Sequence, residues 1–581
     1  MAACNGTESW VRGGEEFRGQ RLLPDIVDYF AHEEPDRVFA AIPKSRNVAD
    51  GFRDINMRML ATAVNHMAGW VDRAFDGVSK KTTLAYIGPP DLRYPILLLA
   101  LMKCGWTAMF VSVQNTAIQN LGLLQEADVH GLLYADSECP VAESLQQFDP
   151  FMPVLQLPAL AELLKSRAPP FHWAGSFSDL QDKRCLILHT SGTTGQPKLV
   201  NYTHGTLSCA DRDTFLPVPE GRRAQNADQF NFSPPGRFYS PFPPHHLAGL
   251  HAYTLMPLFS HTAAFVMGPL SVPPSGSLLS AILQQQPQIR AIYAPPFMIE
   301  QWVLEPGAYD QARRLDFILF GGGALAPRVG HKLSRVTDVR QMYGSMETCH
   351  IQVLIPQPGE WEYLEFNKCE EYEMQAVGDG VYELVLHPNE KSRSHLSFAH
   401  NYPNVRTWRT KDLFMPHPTK PGLWRFHSRT EDIIMLENKL KVWPIPMETI
   451  LRGNPHVVGA LIVGNGRPEP ILLVEPRQSS YTEMGKEDLL DAIWPSVVEA
   501  NSVASDYAQI RRSRIILCPP QLGFFRTPKG TVMRKPTESL YIDLISAIFK
   551  EEDEESSGDE QEYSGDRTEV GMREDQLLAA T

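Results

Sequence analysis

Thr190-Ser191-Gly192-Thr193-Thr194-Gly195-Gln196-Pro197-Lys198 is the segment of this sequence whose residue types best suit chemistry. Its glycines let the backbone turn tightly and come close to a ligand. Hydroxyls and amides can then face one spot, with a lysine alongside, a combination suited to a polyphosphate. The pattern is not the Walker arrangement, in which Gly-Lys is followed directly by Ser or Thr. Here Lys198 follows a proline and precedes Leu199. Composition alone would equally fit an ordinary surface loop.

Further compact groups of polar residues and glycines follow in order. They are Pro243–Leu250 with His246, Phe320–Leu325 with Gly322, and Gln341–Thr348 with Tyr343, Gly344, Glu347 and Thr348. Then come Trp408–Leu413 with Asp412, His427–Ile434 with Arg429, and Phe525–Lys535 with Lys529. Taken singly, each has a plain reading: a buried histidine, a strand-end turn, a surface acid, a solvated lysine.

These groups need elements to hold them. Apolar runs of strand composition occur at Thr83–Ile87, Ala108–Ser112, His130–Tyr134, Cys185–Leu188, Ala263–Val266, Ala291–Tyr293 and Phe317–Phe320. Helical patterns separate them, which predicts an α/β fold with parallel sheets covered on both faces. Residues 21 to 80 read as helix-rich, and the Pro/Asn/Gly-rich stretch 215–245 as a surface loop. Tyr94 to Val113 is apolar but contains Lys103 and Gly105, so a buried helix and strand are expected and not a membrane span. From about Ser428 a smaller unit is expected. Its strands fall near Gly459–Val463, Pro470–Val474 and Arg514–Leu517, and its helices near 486–500 and 537–550.

The net charge of −14 is uneven: Glu551 to Thr581 carries −10 of it, leaving −4 for the other 550 residues. The acidity therefore describes a tail, and no basic surface suggests nucleic acid. The eight cysteines are scattered without a Cys-x-x-Cys pair, as expected for reduced thiols in a cytoplasmic protein. No charged start with an apolar run marks a signal peptide.

Together and in this order, the motifs resemble those of the adenylate-forming superfamily: acyl-CoA ligases, nonribosomal peptide synthetase (NRPS) adenylation domains and firefly-type luciferases. The resemblance covers about residues 25 to 545. Arg526–Thr531, Tyr382–Leu386 and Pro444–Glu448 look most like fungal NRPS-like adenylation domains of reductase or thioesterase type. The implied fold is α/β: a large N-terminal domain of layered parallel and mixed sheets with helices, and a small α+β C-terminal domain. The implied division is an extension (1–24), the large domain (25–430), a mobile small domain (431–550) and a disordered acidic linker or tail (551–581).

The resemblance also implies roles. Thr190, Ser191, Gly192, Thr193, Thr194, Gly195 and Lys198 would hold the β/γ end of ATP. Gly322 would leave room along the adenine and acid pocket, with Tyr343 and Gly344 beside the adenine. Glu347 would help hold Mg²⁺, and Thr348 would bond the α-phosphate. Asp412 would take both ribose hydroxyls, and Arg429 ribose or phosphate. His246 would line the acid pocket. Lys529 would bridge carboxylate and α-phosphate, with Lys535 as the fallback. Three residues depart from the pattern: Met346 for threonine, and Lys411 and Lys439 for glycine. Leu247 stands where amino-acid-activating relatives carry aspartate, so the acid is expected to lack an α-amino group. The implied reaction is adenylation of that acid, then transfer to the phosphopantetheine thiol of a carrier protein or domain. Free CoA is the alternative acceptor, and a non-catalytic nucleotide-binding protein the third reading. No nucleic-acid or membrane partner is expected.

Overall fold

The computed structural model describes residues 9–78, 82–135, 143–144, 151–190, 197–223, 225–270, 272–389, 392, 396–527 and 529–549. The loop residues Ser191, Gly192, Thr193, Thr194 and Gly195 and the acidic stretch 551–581 lie outside them.

A six-stranded sheet runs in the order Val154–Gln156, Val129–Tyr134, Thr83–Ile87, Thr107–Phe110, Arg184–His189, Leu199–Thr203. All pairs are parallel except the last, in which His189 faces Leu199. A seven-stranded sheet has the order Asp338–Gln341, Phe317–Phe320, Ile289–Ala294, Gly236–Tyr239, Ala263–Val266, Val38–Pro43, Phe52–Asn56. The helix Arg93–Cys104 is buried at every residue and stops at Gly105, whose φ of 77° closes it. Thr83–Ile87 and Phe317–Phe320 are buried throughout, as strands covered on both faces must be.

An antiparallel sheet follows: Tyr372–Gly378, Val381–Leu386, Trp408–Pro416, Trp424–Arg429. It ends the large domain. Beyond it, Val457–Val463, Ile471–Pro476 and Ile515–Leu517 form a three-stranded sheet covered by the helices Pro444–Arg452 and Lys486–Asn501. Ile434, Leu451, Leu472, Ile493 and Val497 belong to a core of this smaller unit alone.

Two sequence expectations need correction. The 215–245 stretch is not a surface loop: Ala227 and Phe230 are fully buried, and Gly236–Tyr239 is an interior strand of the seven-stranded sheet. Four residues between prolines are too short to announce a strand. Within 21–80, Val38–Pro43 and Phe52–Asn56 pair antiparallel, so that region supplies a sheet edge as well as helices. The stretch before residue 25 also packs inward. Arg21 is fully buried and binds Asp211 through Nη2 at 2.5 Å and Nε at 2.9 Å.

Candidate active site

The phosphate-type loop leaves the sheet through a closed gate. Thr190 N–H donates to the Lys198 carbonyl at 2.9 Å, and Lys198 N–H donates to Thr190 Oγ1 at 3.0 Å. The antiparallel pairing of the flanking strands therefore continues to the loop's first and last positions. Beneath it, His189 Nε2 accepts the Ser112 amide at 3.1 Å, which leaves Nδ1 to donate to the Thr190 carbonyl at 3.0 Å. Burial lowers the His189 pKa and keeps that neutral tautomer. The Lys198 side chain is exposed.

Asp412 and Arg429 face each other on adjacent antiparallel strands. Arg429 Nε donates to Asp412 Oδ1 at 2.9 Å, and the Tyr343 hydroxyl donates to Oδ2 at 2.7 Å. Burial raises the Asp412 pKa, and Arg429 and Tyr343 pull it back. Arg429 also reaches Glu431 at 2.7 Å. The Tyr343 ring is buried edge-on between Phe366 and Phe414.

Tyr343–Ser345 and Cys349–Ile351 form a hairpin in which Gly344 pairs with His350. A Cβ at Gly344 would lie 2.0 Å from the Cys349 carbonyl oxygen, so only glycine fits. The turn is held by Ser345 N–H to Thr348 Oγ1 at 3.1 Å and Thr348 N–H to Ser345 Oγ at 3.2 Å. Thr348 is buried, its hydroxyl engaged with this turn, while the Glu347 carboxylate is part-exposed. Met346 is buried, and its carbonyl accepts the Tyr202 hydroxyl at 2.6 Å.

His246 caps the short helix Leu247–Leu250 by accepting the Ala248 amide at 3.3 Å. Burial drives its pKa far down, and Lys529, His245, His189 and His350 add to the effect. Leu247 is buried.

Lys529 comes from the smaller unit. Gly322 has φ +82°, and a Cβ there would lie 3.4 Å from Lys529 Cδ. Gly530 is more constrained: φ is +81°, and a Cβ would lie 2.2 Å from the Phe297 ring. The lysine loop is thus seated against the large domain by two glycines, one on each side. Burial lowers the Lys529 pKa to about 8; Arg429 adds to this, while Asp412 and Glu347 oppose it. Lys535 is exposed on the helix Arg534–Leu540. The helix Pro444–Arg452 adds a second tie: Arg452 donates to the Ala324 carbonyl at 2.6 Å and pairs with Glu300 at 3.4 Å.

The structure therefore gathers Gly322, Tyr343, Glu347, Asp412, Arg429, Lys529 and His246 around one cleft, with Thr190 and Lys198 at a loop mouth. It leaves Lys535 outside. Sequence reasoning missed His189, a motif-free histidine at a strand end. It also missed His251 and His350, which carry no recognisable spacing.

The AMP-binding enzyme model matches residues 28–367, and the AMP-binding enzyme C-terminal domain model matches 431–553. The chain is 30% identical over 544 residues to an isocyanide synthase-NRPS hybrid of Aspergillus fumigatus, covering 93% of this chain and 34% of that protein. It is 28% identical over 558 residues to a carboxylic acid reductase of Neurospora crassa, covering 93% of this chain and 52% of the relative. It thus spans about half or less of these relatives' lengths. Among solved structures, the A domain of a carboxylic acid reductase from Segniliparus rugosus superposes with a TM-score of 0.67 at 14% identity, covering 94% of this chain and 96% of that one. An anthranilate CoA ligase superposes with 0.68 at 14% identity, covering 89% and 96%. Among the described residues no helix is long and apolar enough to cross a membrane. The two-part fold, the cleft between its parts and the sequence matches lead to one identification: the chain belongs to the AMP-binding enzyme family of adenylate-forming enzymes.

Proposed function

We propose that the chain condenses ATP with a carboxylic acid lacking an α-amino group (aryl, α-keto or aliphatic) and passes the acyl group to a carrier's phosphopantetheine thiol. The observation that carries the first half is Lys529. It is a lysine of the smaller unit (431–550), half-buried beside Gly322, with Asp412, Glu347 and Arg429 around it.

In this reading the acid's oxygen attacks the α-phosphorus and pyrophosphate leaves. The protein's task is positioning and charge stabilisation. Asp412 orients the ribose, and Tyr343 and Gly344 flank the adenine. Thr348 and the 190–198 loop bind the phosphates. Lys529 offsets negative charge where carboxylate meets phosphate. Glu347 offers a hard oxygen to Mg²⁺, which supplies charge neutralisation on the phosphates when bound. The neutral His246 borders the acid, and the buried Leu247 offers no partner to an α-ammonium group. The smaller unit then turns about Glu431 and withdraws Lys529. The thiol attacks the acyl carbonyl, AMP departs, and the thioester remains on the carrier. Raised thiol pKa values at buried Cys209 and Cys518, both about 12, fit inert thiols in a cytoplasmic setting.

Pyrophosphate exchange over aryl, keto, aliphatic and amino acids tests the first half. Fastest exchange with free amino acids would sink it. Offering CoA and a phosphopantetheinylated carrier side by side tests the second, and acylation of CoA alone would assign the acceptor differently.

A further inference from the structure

The contact between the two units leaves a second cleft, with about 470 Å³ of empty space. Gln301 and Leu304 line it from the large domain, at and just beyond the end of the helix Pro296–Trp302. Arg452, Arg477 and Arg526 line it from the smaller unit. Against these three arginines, Glu300 is the one acid lining the cleft among the described residues. Two of the arginines are already committed. Arg452 holds the Ala324 carbonyl and Glu300, and Arg526 pairs with Glu475. Arg477 is different. Its Nε donates to the Pro455 carbonyl at 3.0 Å, but its two terminal nitrogens donate to nothing among the described residues. Burial lowers its pKa, and Glu305 opposes that without pairing to it. From the large domain, Gln301 Oε1 accepts the Gly276 amide at 3.3 Å, which leaves the Gln301 Nε2 donors unspent among the described residues.

A guanidinium drawn partly out of water without an acid partner is unfavourable, and an anion relieves it. Its planar fork matches two oxygens of one phosphate or carboxylate. We propose that this cleft binds a small multivalent oxyanion between the two units. Arg477 supplies the fork, Arg526 and Arg452 add positive charge, and Gln301 Nε2 donates from the large domain. Arg477, Arg526 and Gln301 are not among the residues gathered around Lys529, so the site is distinct from the place for the nucleotide. Because its partners come from both units, the anion binds the docked arrangement better than any in which the smaller unit has turned away. By mass action it then favours the arrangement in which Lys529 reaches the active-site cleft. The level of such an oxyanion would thereby set the balance between adenylation and acyl transfer. Phosphates and polycarboxylates share the required chemistry.

Binding does not depend on which acid or thiol is used, whereas its effect rests on the turning of the smaller unit proposed above. Inorganic phosphate titrated calorimetrically into the full chain, with a non-hydrolysable ATP analogue filling the nucleotide site, is expected to bind saturably. Arg477→Gln should weaken that binding by at least about tenfold. Leu304→Glu, which places a negative charge at an exposed position of the cleft, should weaken it too. Circular dichroism checks each fold, and if one variant does not fold the other decides. A parallel citrate titration separates the sources: tighter citrate binding assigns the site to polycarboxylates, tighter phosphate binding to phosphates. In the preferred anion, against chloride at equal ionic strength, acyl transfer from a supplied acyl adenylate should slow several-fold in the wild type and not in Arg477→Gln. No saturable binding of either anion to the wild type overturns the site, as does binding unchanged in a folded variant. Binding that leaves the transfer rate unaltered overturns the coupling to the smaller unit's movement.

Discussion

Removing the Lys529 ammonium isolates what that charge does. Lys529→Ala should slow pyrophosphate exchange by about 10²- to 10³-fold, the usual loss when one aimed stabilising group is deleted. Lys535→Ala should stay near wild type, because that side chain is exposed away from the cleft. The depressed pKa adds a pH test. Lys529 is charged below about 8 and loses its proton above it. The kcat/KM for ATP, which reports the free enzyme, should therefore fall as pH rises through that region. Lys529→Ala should abolish this limb; a limb that persists unchanged would reassign it. The stability effect has the opposite sign. A folded-state pKa below the unfolded one means the unfolded chain binds more protons between about 8 and 10.5. Stability contributed at this position thus rises with pH across that window. At Asp412, both carboxylate oxygens already hold partners. Asp412→Asn removes the charge that Arg429 and the nucleotide would share. A loss of about 1.5–3 kcal/mol for a charged hydrogen bond corresponds to a roughly 10- to 100-fold rise in the KM for ATP.

Element by element, the backbone keeps a shape that the residue types conceal. Lys411 has φ +62° and Lys439 φ +67°, so two lysines occupy left-handed positions where the motifs lead one to expect glycine. The substitutions changed the side chain and left the turns in place. Left-handed backbone costs a non-glycine residue about 1–2 kcal/mol, and glycine itself gives back about 0.5–1 in entropy. Lys439→Gly should therefore be neutral to about 1 kcal/mol stabilising in urea melts. Lys439→Val should destabilise, since a branched side chain tolerates positive φ poorly. A clearly destabilised glycine variant would show that the Lys439 side chain makes a contact of its own. The same contrast governs what the sequence revealed. Ala263–Val266 and Phe317–Phe320 were readable to the residue because sheets covered on both faces demand unbroken apolar runs. Gly236–Tyr239 was hidden among prolines, and the half-exposed strand Trp408–Pro416 alternates too irregularly to read from pattern alone. In the site, Asp412, Glu347 and Lys529 were legible through contiguous motifs. His251 and His350 were not, because folding alone brings these separated residues together.

At the scale of the whole molecule, the lysine loop reaches the cleft only while the smaller unit stays docked. Arg452 holds that docking through the Ala324 carbonyl and Glu300. Arg452→Ala should lower adenylation several-fold by making the docked arrangement less populated, a cost of about 1 kcal/mol for one such contact. Thioester formation from a supplied acyl adenylate should be spared or quickened. Equal loss in both half-reactions would place Arg452 in general stability instead. The apolar cores fall on either side of this contact: among the described residues, no buried cluster mixes positions before 431 with positions after it. Two separately cored units joined by polar ties are poised to melt as separate cooperative units. Calorimetry should then resolve two endotherms. Gentle heating would silence the enzyme while most of its helices and strands remained intact, and cooling would restore it.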